Sequence, residues 1–146
     1  MLELPEGLEV VGDNWFECSG INKLIVSRSV KKLGEYAFSG CHWLKKVEFK
    51  SKSCLETIAE SCFSRDVFEK IVIPKSVQNI EIEAFRECEN LSSLSFEKGS
   101  QLKHVGLNAF YGTKLTPEQR KFPNAVEEDK PKPKPKNERK YYDSSS

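Results

Sequence analysis

The chain has 146 residues, 38% hydrophobic and 31% charged, which are the proportions of one ordinary domain with a modest core. A formal net charge of +1 gives no global reason to expect nucleic acid, an anionic membrane or an acidic substrate as partner. The longest aliphatic runs, Leu24-Ile25-Val26 and Ile71-Val72-Ile73, fall far short of the roughly 18–20 apolar residues that a bilayer span needs.

At the N-terminus, MLELPEGLEVVGD places Glu3 and Glu6 where a secretory leader carries a basic stretch and then an apolar core. As written, the chain reads as cytoplasmic or as a fragment of something longer. Leu2-Glu3-Leu4-Pro5 matches Ile71-Val72-Ile73-Pro74, so the chain opens on an incomplete unit that begins partway through a strand. Its free edge, with Leu2 and Leu4 exposed, is suited to pairing with another chain.

The body of the chain is a repeat. Phe16, Phe38, Phe63, Phe85 and Phe110 are separated by 22, 25, 22 and 25 residues. Eight residues before each Phe stands an apolar residue (Leu8, Val30, Leu55, Val77, Leu102), and five before it another (Val11, Leu33, Ile58, Ile80, Val105). Four units then run into an apolar-x-x-apolar-x-apolar segment: INKLIV (21–26), LKKVEF (44–49), FEKIVI (68–73) and LSSLSF (91–96). The last three positions alternate in, out, in with β-branched and aromatic residues, which predicts one short half-buried strand per unit. The longer units carry polar loops, KSKS at 50–53 and EKGS at 97–100, where a solvent-exposed turn absorbs the extra length. VKKLGEYAF also has helical spacing at Val30, Leu33, Ala37 and Phe38, but Gly34 and its β-rich neighbours favour a short strand or a helical turn.

Beyond Phe110 the pattern fades. Thr116-Pro117-Glu118 reads as an N-cap followed by a proline at the first helical position, predicting a short capping helix over about residues 116–122. The segment EEDKPKPKPKNERKYYDSSS has too few apolar groups to offset the entropy of ordering and is expected to be a disordered, partly polyproline-like tail. Its prolines recur every second residue, so it lacks the P-x-x-P spacing read by SH3-type grooves.

The phrase SVKKLGEYAFSGCHWLKKVEF, with its echoes SVQNIEIEAFRECENLSSLSF and LKHVGLNAFYGTKL, resembles the BspA-like, or Treponema-type, leucine-rich repeats of bacterial surface proteins and of trichomonad and amoebic proteins. The resemblance covers about residues 2–115. It implies an α/β to mainly β fold, a right-handed solenoid of about four to five repeats with a parallel sheet on the concave side. The organisation is then a solenoid over 1–115, a capping segment over 116–126 and a Lys/Pro-rich tail over 127–146. Ala59 and Glu81 replace the glycine found at 12, 34 and 106, and Asp66 and Thr113 stand where Cys41 and Cys88 do.

Cys41-His42 has the look of a metal site or a thiol nucleophile, but its repeat position argues otherwise. Cys41 and Cys88 each lie three residues after their Phe, where a buried cysteine behaves as a small hydrophobe. They stand two units apart, about 10 Å at ordinary strand spacing, too far for a disulfide; Cys18 and Cys41 are on adjacent units and near enough in principle. Five cysteines with no CxxC suggest neither a disulfide framework nor zinc, and reduced thiols are the expectation. His42 and His104 fall on different faces of the repeat. No catalytic triad, P-loop or dinucleotide fingerprint is present, and no metal or cofactor is expected.

The informative surface is the outward face of the concave sheet. It should carry Lys23 and Ile25, then Lys45, Lys46 and Glu48, then Glu69, Lys70 and Val72, then Ser93 and Ser95, with Lys23, Lys46 and Lys70 level on neighbouring strands. Exposed Ile25 and Val72 among charges make a protein-binding mixture, not a nucleic-acid groove. The expected function is a non-catalytic protein-interaction module binding through this face. Adhesion or host contact at a cell surface is what the resemblance implies for displayed members. The alternative is a self-associating structural fragment, pairing through the N-terminal edge strand, or an intracellular scaffold.

Overall fold

The computed structural model describes residues 1–122 and, as backbone alone, the strand Val126–Glu127. In chain order the strands are β1 (Leu2–Glu3), β2 (Val10–Val11), β3 (Lys23–Val26), β4 (Lys32–Leu33), β5 (Lys46–Phe49), β6 (Thr57–Ile58), β7 (Lys70–Ile73), β8 (Asn79–Ile80), β9 (Ser93–Phe96), β10 (His104–Val105) and β11 (Val126–Glu127). All pair in parallel, forming a β-solenoid of about five turns with no helix among the described residues. None of them therefore supplies a helix long and apolar enough to cross a membrane.

The even-numbered strands through β10, together with β11, form one continuous six-stranded sheet. Its strands are two residues long because only their second residue faces inward: Val11, Leu33, Ile58, Ile80 and Val105 are all fully buried. The four-residue strands β3, β5, β7 and β9 face the other way, with Leu24, Val47, Ile71 and Leu94 as their inward residues. VKKLGEYAF accordingly forms the short strand β4 and a turn, not a helix.

A third ladder, without regular strands, runs through the phenylalanines. In each of the first four turns, three backbone N–H groups donate to the next turn. From the second turn these are Tyr36 to the Glu60 carbonyl at 3.1 Å, Phe38 to Cys62 at 2.9 Å and Gly40 to Ser64 at 2.8 Å. The residue two before each Phe (Asn14, Tyr36, Ser61, Glu83, Asn108) is left-handed, with φ of 53–64°. The residue two after each (Cys18, Gly40, Arg65, Glu87, Gly112) is left-handed too, with φ of 56–79°. These paired excursions turn the chain while keeping the ring between them pointed inward. The rings stack in one file with centroids 5.4, 5.6, 5.4 and 5.1 Å apart and planes within 14° of parallel. Each such aromatic pair contributes about 0.5–1.5 kcal/mol beyond its area burial.

Phe122 extends the file, its ring 5.6 Å from Phe110, and so covers the last turn. The expected helix over 116–122 does not form. Thr116 and Gln119 do make the reciprocal side-chain and backbone bonds of a capping box, but the backbone bonds beyond it span three residues, a succession of turns. The turn is held down by Gln119, which donates to the Ser92 carbonyl, and by Arg120, which donates to that of Phe110. Of the Lys/Pro-rich tail only Glu127, in β11, is among the described residues.

Glycine at 106 is required by proximity, since a Cβ there would come within 2.3 Å of the Ile82 backbone nitrogen. Gly106→Ala is expected to cost about 1–3 kcal/mol through the forced separation of two turns. A urea unfolding curve with a lowered midpoint and an unchanged slope is the predicted signature.

Candidate functional site

The outward face of β3, β5, β7 and β9 carries the residues expected of it, with two corrections. In register, Lys23 lies beside Lys46 and Ile25 beside Glu48, while Lys70 lies beside Ser93 and Val72 beside Ser95. Lys45, Lys46, Glu48, Glu69, Lys70, Ser93 and Ser95 are exposed, Lys23 is half-buried, and Val72 is 49% exposed. Ile25 is not part of the surface, being only 8% exposed. It is flanked by Glu3 and Glu48, and Lys50 donates to Glu3 across β3 at 3.0 Å, so charged side chains lay their aliphatic stems over it.

The second correction concerns the lysine row. The concave sheet is two pieces, β1-β3-β5 and β7-β9, and among the described residues no backbone hydrogen bond joins β5 to β7. Lys23 and Lys46 are neighbours, but Lys70 stands across a break.

Pro74 accounts for part of it. Just after β5 and β9, the next residue donates its N–H back to the preceding strand: Lys50 to the Val26 carbonyl at 3.1 Å, and Glu97 to that of Ile73 at 3.0 Å. Pro74 occupies the same place after β7 and has no N–H to give to Phe49. Phe68 replaces the aliphatic residue of other turns with a buried ring packed edge-on against Phe63 and Phe85.

The break opens into a cleft of about 580 Å³. Its apolar wall includes Phe49, Ile71, Val72 and Pro74, and its rim carries four lysines (45, 46, 50, 70) and three glutamates (48, 69, 97). Some of these charges are engaged: Lys46 with Glu48 at 3.9 Å, Lys50 with Glu3, and Glu97 with the Lys75 N–H at 2.9 Å. Lys45, Lys70 and Glu69 have no such ion pair among the described residues. Phe49, Lys50, Pro74 and Glu97 were not singled out in the sequence; a proline directly after an inner strand was the available signal.

Cys41 and Cys88 are filling. Both are buried, with Sγ on the Phe16 carbonyl at 3.3 Å and on the Phe63 carbonyl at 2.9 Å respectively, and Cys62 is buried beside them. Burial pushes all three thiols above their ordinary range, the opposite of what a thiolate nucleophile needs. His42 and Trp43 point outward, so Cys41 and His42 do not converge on a common site. All five cysteines are free.

Asp66 stands in this file between Cys41 and Cys88. Its Oδ1 accepts the Cys41 N–H at 2.8 Å and its Oδ2 is buried without a hydrogen-bond partner, so desolvation raises its carboxyl well above the usual carboxylate range. The folded chain thus holds this proton to higher pH than the unfolded chain. Its contribution is complete in acid and is lost as pH rises through the raised value. Asp66→Asn keeps the acceptor and cannot ionise. Relative to the parent, this variant should therefore gain stability in urea titrations as pH rises from about 4 through the raised value; a pH-independent difference would refute the assignment.

A family model described as "BspA type Leucine rich repeat region" matches in six copies over residues 1–66 and 56–128. Comparison with curated protein sequences finds no match. Among solved structures, the pneumococcal vaccine antigen PcpA superposes with a TM-score of 0.67 at 26% identity, over 73% of this chain and 28% of that one. The chain thus spans under a third of that relative. The leucine-rich repeat protein TpLRR of T. pallidum superposes with a TM-score of 0.52 at 24% identity, over 86% of this chain and 67% of the other.

Proposed function

Because the chain belongs to the BspA-type leucine-rich repeat family, we propose that it is a non-catalytic module that binds a protein partner through the concave face, centred on the cleft between β5 and β7. The cleft carries this reading: an apolar wall inside a rim of both charge signs is the composition of a protein interface core with its polar margin. The near-balanced rim disfavours nucleic acid, whose phosphates call for a basic stripe. The likeness to a vaccine antigen supports a role at a cell surface, in adhesion or host contact.

Lys46→Glu combined with Lys70→Glu reverses two exposed charges on the rim and leaves the core untouched. The double variant should lose at least tenfold in capture of a partner identified with the parent chain, with its unfolding midpoint unchanged. Lys103→Glu, away from the cleft, should capture normally. Equal capture by the double variant would remove this face from consideration.

A second reading, self-association, is favoured by the first turn. Val10 and Trp15 are exposed there, and Leu2, Leu8 and Phe16 are half-buried, although Leu4 is only 3% exposed and takes no part, contrary to the expectation from sequence. Sedimentation velocity over a hundredfold concentration range should then show a dimer that Val10→Lys abolishes, whereas a monomer throughout excludes it.

A further inference from the structure

We propose that the break between β5 and β7 is a slot for an extended polypeptide segment with apolar and acidic side chains, which docks as an added strand and restores the interrupted ladder. This rests on the concave-face reading and specifies the chemistry of the partner.

Wherever the concave ladder is intact, alternate peptide groups of adjacent strands satisfy one another. At this interface the lateral groups of β5 and β7 lack that partner, and Pro74 leaves the Phe49 carbonyl without the donor its counterparts Val26 and Ile73 receive. A row of donors and acceptors at strand spacing is complementary to another extended backbone, and to little else. Full insertion needs β5 and β7 about 9.5 Å apart, twice the ordinary strand spacing. The two can separate here without breaking a bond of the concave ladder, whereas a strand entering between β3 and β5 or between β7 and β9 would have to break several.

The side chains narrow the ligand further. Val72, 49% exposed, and the half-buried ring of Phe49 offer apolar surface to the guest. Lys45 and Lys70 have no ion pair among the described residues, and of the carboxylates near them Glu97 is already held at the Lys75 N–H, so a guest carboxylate beside its apolar residues finds a lysine to pair with.

The test uses the full chain, ¹⁵N-labelled, titrated with acetyl-Glu-Val-Thr-Val-Glu-amide, with the same peptide N-methylated at its central residues, and with acetyl-Lys-Val-Thr-Val-Lys-amide. The expected result is amide shifts concentrated at Val47, Phe49, Lys70 and Val72, with affinity reduced at least tenfold by N-methylation and at least threefold by the lysine exchange. Pro74→Ser, which supplies the missing donor and matches Ser27 in the turn of β3, should close the slot and abolish binding without loss of stability. Shifts confined to rim side chains, no shifts at all, equal binding of the N-methylated peptide, or undiminished binding by the Pro74→Ser chain would each overturn the proposal. If the peptide fails while the Lys46/Lys70 variant still loses its partner, the slot is wrong and the concave-face reading survives. If that variant also keeps its partner, both fall.

Discussion

The stack of phenylalanine rings is the constraint on which the other features depend. Each ring occupies the full spacing between turns, so the distance from one turn to the next is set in the middle of the core, and the six-stranded sheet conforms to it along its whole length. Holding the ring in place takes two left-handed residues per turn, most of them not glycine. Such conformations are unfavourable for side-chain-bearing residues, and they persist because three inter-turn hydrogen bonds over-determine them. Stability is correspondingly a sum over neighbours: Phe38, Phe63, Phe85 and Phe110 are each stacked on both faces, whereas among the described residues Phe16 stacks on Phe38 and meets Trp15 edge-on.

Given that fixed spacing, variation is pushed outward. Turns of 22 and 25 residues alternate, and their extra residues lie in loops without displacing the rings. The continuous sheet of two-residue strands tolerates this because each strand asks for one buried residue. The concave sheet has longer strands and more bonds to satisfy, so it registers the disturbance, and it parts where a long turn is followed by a short one ending its strand in Pro74. The surface best suited to a partner therefore arises where the repeat is least regular, which is the expected place for function on a solenoid.

The repeat, its period, the Phe file and the inward residues of both sheets were legible in the sequence because they follow from spacing alone. Cys41 was rightly read as filling, since the frame placed it at an inward position. What was not legible had cross-turn causes. Ile25 alternates outward like Val72, but Glu3 and Glu48 flank it and the Lys50–Glu3 ion pair spans it. Leu4 looked like an exposed edge residue, yet it is tied by its N–H to Ile25 and packs in the core. Thr116 caps as expected, bonding with Gln119, but no helix follows, because Gln119 and Arg120 spend their side chains on the last turn. The break could have been anticipated from Pro74, but only by asking what its missing N–H would have bonded in the preceding turn.

A solenoid with every ladder intact resists bending about equally along its length. Here one interface has lost one of its three sets of bonds, while the Phe file and the six-stranded sheet pass through it unbroken. Compliance is thereby concentrated on one side of one joint: two stiff blocks, with β1, β3 and β5 in one and β7 and β9 in the other, share a spine and can flex toward or away from each other only across the concave side. Curvature in this molecule is then a local mechanical variable with a known address, free to change under load while the rest of the coil keeps its pitch.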